Sequence, residues 1–289
     1  ADTSSLRSLK VVADAGNGMA GHVVPAVFQG LPFQLVPMYF ELDGSFPNHP
    51  ADPLNPENLR ELQARVVAEG ADVGLAFDGD ADRVFLVDER GATVPSSLVG
   101  ALVAKLMCER EPGATVLYNL ICSRVVPETI REAGGVPVRT RVGHSFIKAV
   151  MAETGAIFGC EHSGHYYFRD NYRADSGLIA AVVALDALSR AGRPLSEVLA
   201  PYRRYAASGE INRRVDGDLR KVIEEVAARY PAEAADFADG LTVEGGDWWF
   251  NLRPSNTEPL LRLNVEAATE AEMARVRDEV LEAVGGEPA

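Results

Sequence analysis

The run Thr115-Val116-Leu117-Tyr118-Asn119-Leu120-Ile121 is apolar and rich in strand formers, and a helical segment that stops at Gly134-Gly135 follows it. The rhythm repeats at once. Residues 136–142 predict a second strand leading to a helix that ends at Gly155, and residues 156–160 predict a third strand before the polar segment 161–175, read as a loop. Ser176 then stands where a cap belongs, ahead of Leu178, Val182, Leu185 and Leu188 at helical spacing. Alternating strands and helices fold as largely parallel sheets with helices on their faces. Ligands of such sheets gather beyond the carboxyl ends of the strands, which brings forward Asp78, Gly143-His144 and Glu161.

Towards the N-terminus the same alternation continues. Residues 9–13 predict a strand, Asp14-Ala15-Gly16-Asn17-Gly18 a turn and residues 33–40 a second strand; a Pro/Asn-rich loop covers 46–55. Asn55 can cap a helix with Pro56 in its first position, Leu59, Leu62 and Val66 on one face, and Gly70 as its stop. Residues 73–77 and 84–87 predict strands on either side of 78–83. Beyond the basic, Pro-containing stretch 193–204 the character changes. A strand at 210–215, a helix at 218–229, strands at 241–244, 248–252 and 261–266, and a helix opened by the capping box Thr269-x-x-Glu272 make a small α+β unit. The fold class expected is therefore α/β: two consecutive mixed or parallel three-layer α/β domains, 1–98 and 99–204, then a small α+β domain, 205–289. No repeat of fixed period is visible, although the first two thirds could be structural cousins.

The chain has 289 residues, 47% of them hydrophobic and 24% charged, which suits packed cores and argues against disorder. Its formal net charge of −14 argues against nucleic-acid or anionic-membrane surfaces, so an anionic ligand needs a local cluster of cations. No apolar run approaches the roughly 20 residues of a membrane span, and no signal peptide is visible, so a cytoplasmic location is expected. Cys108, Cys122 and Cys160 contain no CxxC pair and read as buried thiols. Residue 1 is Ala, and a strand begins almost at once, as in a piece excised from a longer polypeptide.

Asp78-Gly79-Asp80-Ala81-Asp82-Arg83 is the sharpest motif. Three carboxylates at alternate positions of a tight loop repel one another, and a hard divalent cation relieves that repulsion. An EF-hand fails as an explanation, because Arg83 stands where that loop requires glycine and both flanks read as strands. Gly16-x-Gly18-x-x-Gly21, with Glu41 near the end of the next strand, formally completes a dinucleotide fingerprint, but a glycine-rich turn without nucleotide is the stronger reading. Glu161-His162-Ser163-Gly164-His165 suits a ligand with several hydroxyls, and Gly143-His144-Ser145 follows a strand end. Lys148 reads as a solvated lysine, and Trp248 and Trp249 as core and edge. Arg253-Pro254-Ser255-Asn256-Thr257-Glu258-Pro259 pins a loop carrying a guanidinium, hydroxyls and an amide between two strands, an inventory that fits a phosphate group; Arg262 on the next strand reads equally as ligand or scaffold.

In this order the loops resemble those of the α-D-phosphohexomutases, the phosphomannomutases and phosphoglucomutases. Residues 78–83 look like the family's metal-binding loop, 161–165 its sugar-binding loop and 253–257 its phosphate-binding loop; Gly143-His144 and Phe46-Pro47-Asn48-His49-Pro50 are further matches. The resemblance implies Mg²⁺ on Asp78, Asp80 and Asp82, and a substrate held by Gly143, Glu161, Ser163, His165, Arg253, Ser255, Asn256 and Thr257. It further implies His144 and Arg83 as catalytic groups, and a sugar bisphosphate as intermediate and activator. The family's four domains begin with one whose Ser-His-Asn-Pro loop carries a phosphoserine; that motif is not found in the 289 residues, so the segment looks like domains two to four. Ile121 stands where the bifunctional branch has lysine, whereas His165 and Tyr166-Tyr167-Phe168-Arg169 lean towards mannose.

Overall fold

The structure is a computed structural model and describes residues 6–255 and 258–289. Asn256 and Thr257, two of the expected phosphate ligands, lie outside the described residues. The chain forms two compact units, residues 1–140 with 144–202 and residues 141–143 with 203–289.

The first unit holds two mixed sheets. In the first, β1 (Leu9–Asp14) lies parallel to β2 (Phe33–Met38) and to β3 (Val73–Phe77), β3 turns back antiparallel into β4 (Val84–Asp88), and β5 (Thr93–Val94) closes the edge. Helices α1 (Ala20–Phe28) and α2 (Arg60–Glu69) belong to this sheet; Asn55 accepts the Glu57 N–H, and Gly70 ends α2 at φ 57°. In the second, β6 (Thr115–Asn119) is parallel to β7 (Val136–Thr140) and β8 (Phe158–Cys160), and β8 turns back antiparallel into β9 (Tyr166–Phe168). Strand β9 lies within the segment expected to be a loop. Its three residues are too few to show a period, although the buried Tyr-Tyr-Phe run is strand-forming.

Helix α3 (Ser96–Arg110) is buried around most of its circumference because it packs on β4, on β8, on α4 (Val125–Glu132) and on α6 (Gly177–Ala191). Residues 98 and 99, where the sequence places its first boundary, lie inside α3. Helix α5 (His144–Thr154) covers β6 to β8 with Ile147 and Met151, and α7 (Leu195–Leu199) ends the unit. The Ser176 hydroxyl accepts the Ile179 N–H and caps α6. All three cysteines are buried and free.

The second unit is an antiparallel sheet ordered β11-β12-β13-β14-β10-β15. Its strands are β10 (Ala206–Arg214), β11 (Ala235–Asp236), β12 (Leu241–Glu244), β13 (Trp248–Pro254), β14 (Leu260–Ala267) and β15 (Glu287–Pro288). Helices α8 (Leu219–Ala227) and α9 (Glu270–Val284) bury Ile223, Val226, Met273, Val276 and Val280 against Phe250, Leu252, Leu261 and Leu263. The Thr269 hydroxyl caps α9 through the Glu272 N–H. No helix among the described residues is long and apolar enough to cross a membrane.

One charge pair ties the Pro/Asn-rich loop to the end of β1. His49 Nδ1 lies 2.9 Å from the Pro50 carbonyl oxygen and Nε2 lies 3.0 Å from Oδ2 of the buried Asp14. Both ring nitrogens face acceptors, so the ring satisfies them only as imidazolium. The Asp14 hydrogen bond raises the His49 pKa above its ordinary value, against the opposing effect of burial. A raised folded-state pKa stabilises fully below about pH 6.5, and the gain is lost as pH rises through the folded value. The thermal midpoint of the wild type should therefore exceed that of His49→Gln at about pH 5.5, and the gap should shrink towards about pH 9; a gap independent of pH contradicts the pairing.

Candidate functional site

The acidic loop connects β3 to β4. Asp78 is buried; its Oδ1 accepts the Arg83 N–H at 3.1 Å and its Oδ2 accepts Arg83 Nε at 2.7 Å. This fork folds the loop back so tightly that Ala81 takes a left-handed φ of 65°, which costs a residue with a Cβ about 1–2 kcal/mol. Carboxylate oxygens of Asp78, Asp80 and Asp82 come within 4.8 Å of one another. Burial, reinforced by repulsion from Asp78 and Asp80 and opposed by His165, pushes the Asp82 carboxyl up to about 6. Asp82 Oδ1 is buried without a hydrogen-bond partner among the described residues. A hard divalent cation fits these oxygens: it supplies the missing partner and relieves the repulsion.

The Glu161 loop connects β8 to β9, the corresponding place in the second sheet. The Glu161 N–H donates to the His165 carbonyl (3.0 Å) and the Gly164 N–H to the Glu161 carbonyl (3.2 Å), which closes a tight turn. The buried Glu161 carboxylate accepts the Tyr167 hydroxyl at 2.9 Å and Asn119 Nδ2 at 3.4 Å. The two loops meet edge to edge. Arg83 and His165 form an antiparallel backbone bridge, and the Val84 N–H reaches the Gly164 carbonyl at 3.4 Å. His165 Nδ1 consequently lies 3.6 Å from Asp82 Oδ1 and 3.0 Å from Asp175 Oδ2.

Asp175 and Lys148 enter here, and sequence reasoning assigned neither. Lys148 is not simply solvated: its Nζ lies 2.9 Å from Asp175 Oδ1 and 5.7 Å from the Tyr167 ring centre. Burial opposes ionisation of Asp175, but the His165 and Lys148 hydrogen bonds prevail and hold it well below the usual carboxylate range. Burial likewise lowers His165, and pairing with the nearby Asp175 carboxylate together with the fields of Asp82 and Glu161 outweighs it, so the net shift is upward. The one available signal for Asp175 was its place directly before the Ser176 cap. Arg169 is held by both oxygens of Glu111, at 3.0 and 2.9 Å, so it serves the scaffold.

The first unit thus brings together Asp78, Asp80, Asp82, Arg83, Glu161 and His165, with Ser163 half-buried in the same turn. The N-terminus of α6 locks the arrangement, since a Cβ on Gly177 would stand 2.5 Å from the Arg83 carbonyl oxygen. His144 is exposed at the start of α5, and Gly143, at φ 127°, groups with the second unit. Arg253 lies in that unit, buried, with Nη2 2.8 Å from Glu210 Oε2, and the Ser255 N–H donates to the Leu260 carbonyl. The glycines of the apparent dinucleotide fingerprint serve packing. A Cβ on Gly18 would stand 2.6 Å from the Gly79 carbonyl oxygen, and one on Gly21 would strike the Phe40 backbone.

Comparison with known proteins shows the family. Family models for "Phosphoglucomutase/phosphomannomutase" match most of the chain: alpha/beta/alpha domain II over residues 1–91, alpha/beta/alpha domain III over 95–205 and the C-terminal domain over 210–283. The chain belongs to the phosphohexomutase family. It is 41% identical over 280 residues to "Phosphohexose mutases" of Xanthomonas campestris, covering 96% of this chain and 62% of the relative. It is 39% identical over 280 residues to the "Phosphomannomutase/phosphoglucomutase" of Pseudomonas aeruginosa, covering 96% and 60%. A crystal structure of a phosphoglucomutase/phosphomannomutase family protein from Burkholderia thailandensis superposes with a TM-score of 0.87 at 36% identity, covering 98% of this chain and 62% of that one. The chain therefore spans about three fifths of the length of the phosphohexomutase relatives it matches.

The cation assignment has a direct test. Calorimetric titration with Mn²⁺ should show weaker binding by Asp80→Asn than by the wild type, on the order of tenfold for one lost carboxylate ligand. Equal binding by the two removes the assignment.

Proposed function

We propose that this chain supplies the cation, sugar and phosphate sites of a phosphohexomutase that interconverts hexose 1-phosphate and hexose 6-phosphate, with mannose as the favoured sugar and glucose as the alternative. The observation that carries the reading is the edge-to-edge meeting of the acidic and Glu161 loops, which sets three carboxylates beside a hydroxyl-binding turn. The domain boundaries 1–98, 99–204 and 205–289 belong to the same proposal.

In this reading Asp78, Asp80 and Asp82 hold Mg²⁺, which as a Lewis acid offsets charge on a transferring phosphoryl group. Arg83, anchored through Asp78, faces the same developing charge. Glu161 and Ser163 hold two sugar hydroxyls, and because Tyr167 and Asn119 already fix the Glu161 carboxylate, its geometry is set before the sugar arrives. His165 completes that turn, and His144 carries the proton to or from the reacting hydroxyl. Arg253, Ser255, Asn256 and Thr257, with Gly143, bind the phosphate distal to the reaction. A sugar bisphosphate turns around between two transfers, so the phosphate loop serves either end of the molecule.

The phosphoryl donor in this reading is the phosphoserine of the family's first domain. Positioning is most of the catalysis of phosphoryl transfer, so the chain alone has nothing to transfer. A coupled assay with a hexose 1-phosphate and the bisphosphate activator should show no turnover by the 289-residue chain, and turnover once a first domain carrying the serine is joined or added. Turnover by the chain alone within about tenfold of an intact enzyme contradicts the donor assignment; absence of turnover with the donor present contradicts the mutase reading and favours a non-catalytic phosphosugar binder.

A further inference from the structure

Cys122 stands just past the end of β6, and the turn there brings its thiol back over Asn119, the residue that ends the strand. The Cys122 N–H donates to the Asn119 carbonyl at 3.0 Å, and the Cys122 thiol donates to Asn119 Oδ1 at 3.1 Å. Both residues are buried, Asn119 completely, so a polar atom left unpaired here is costly. The thiol also lies 3.7 Å from the Cys160 carbonyl oxygen, in the residue directly before Glu161. It has one proton to give, and the shorter contact takes it.

That contact helps decide which way the Asn119 amide points. Oδ1 faces two donors, the Cys122 thiol at 3.1 Å and the His162 N–H at 3.5 Å, and Nδ2 faces Glu161 Oε1 at 3.4 Å. Turned over, the amide would set its NH₂ against the His162 N–H and its oxygen against the Glu161 carboxylate, donor on donor and acceptor on acceptor. Of these contacts the thiol's is the shortest, and the other two stand at the outer limit of a hydrogen bond. A thiol is a weak donor, but in a buried network each bond polarises the next. The chain runs from Cys122 through Asn119 to one oxygen of Glu161, and Tyr167 holds the other oxygen.

We propose that Cys122 is a positioning residue of the sugar site: its thiol fixes the Asn119 amide, and Asn119 in turn fixes the Glu161 carboxylate against which a sugar hydroxyl binds. The proposal rests on the reading of Glu161 as a sugar ligand and extends it to a side chain that touches no substrate. The competing role is space filling, the ordinary role of a buried thiol. Serine separates the two, because like alanine it is smaller than cysteine, yet it keeps a donor.

The test is calorimetric titration of the full chain with mannose 6-phosphate. It compares the wild type, Cys122→Ala, Cys122→Ser, Glu161→Gln and the double variant Cys122→Ala with Glu161→Gln, each checked for fold by circular dichroism and thermal midpoint. Cys122→Ala should weaken binding about threefold or more, the scale of one lost hydrogen bond, and Cys122→Ser should recover most of the loss. In the Glu161→Gln background Cys122→Ala should have no further effect, because the two act through one chain. Equal loss in Cys122→Ala and Cys122→Ser, an additive loss in the double variant, or wild-type affinity in Cys122→Ala while Glu161→Gln binds weakly overturns the role of Cys122 and leaves Glu161 as a sugar ligand. Wild-type affinity in Glu161→Gln, or no binding by the wild type, overturns the sugar role of Glu161 and this proposal with it. Should Cys122→Ala fail to fold, infrared spectroscopy of the wild type decides. The thiol stretching band that Cys122→Ser removes should move when mannose 6-phosphate binds, since the sugar draws on the carboxylate at the end of the chain; a band that stays in place overturns the proposal.

Discussion

Three carboxylates within five residues repel one another, and one guanidinium makes their loop foldable. Arg83 gives its backbone N–H and its Nε to the two oxygens of Asp78, which closes the turn between β3 and β4. The Asp78 side chain is 5% exposed, so breaking this pair would leave a buried charge uncompensated, at a cost of about 3–5 kcal/mol. Much of the first unit is arranged around that turn. The backbone of the turn meets Gly18 on one side and Gly177 on another, and at each place a Cβ would collide with it. The Arg83 backbone then pairs with His165, so one ion pair within a loop fixes where a second loop can lie.

The two sheets of the first unit follow one plan. Each has a strand with parallel neighbours on both sides, and in each the second of those neighbours turns back into an antiparallel hairpin, β3-β4 in one, with β5 beyond it, and β8-β9 in the other. The acidic loop and the Glu161 loop occupy the same place in that plan, at the turn of the hairpin. Helix α3 contacts both β4 and β8, which holds the two hairpins within one core. The juxtaposition of the acidic and Glu161 loops is therefore a property of two like sheets sharing a helix.

Much of this was legible in the sequence because local chemistry declares itself. The Ser176, Thr269 and Asn55 caps stand where the caps form, and residues 241–244 predict a strand that the structure places as Leu241–Glu244. The acidic, Glu161 and Arg253 loops also stood out, since repelling carboxylates, an acid and two imidazoles around one serine, and a Pro-flanked guanidinium are unusual in short stretches. What escaped was set by tertiary contact. Strand β9 is three residues long and exists through pairing with β8. Lys148 resembled a solvated lysine until Asp175 arrived beside it from a loop 27 positions away. The dinucleotide fingerprint misled because glycine admits a nearby backbone as readily as a pyrophosphate, and here the neighbours are Gly79 and Phe40.

In the proposed function the acidic loop holds a divalent cation directly beside a sugar held by Glu161 and Ser163. A crystal of this chain grown with Mn²⁺ and mannose 1-phosphate, measured at a wavelength where manganese scatters anomalously, tests it most directly. The expected result is an anomalous peak among the carboxylates of Asp78, Asp80 and Asp82, with sugar density against Glu161 and Ser163 in the same unit. A peak elsewhere, or a bound sugar that leaves the Glu161 turn empty, would contradict it.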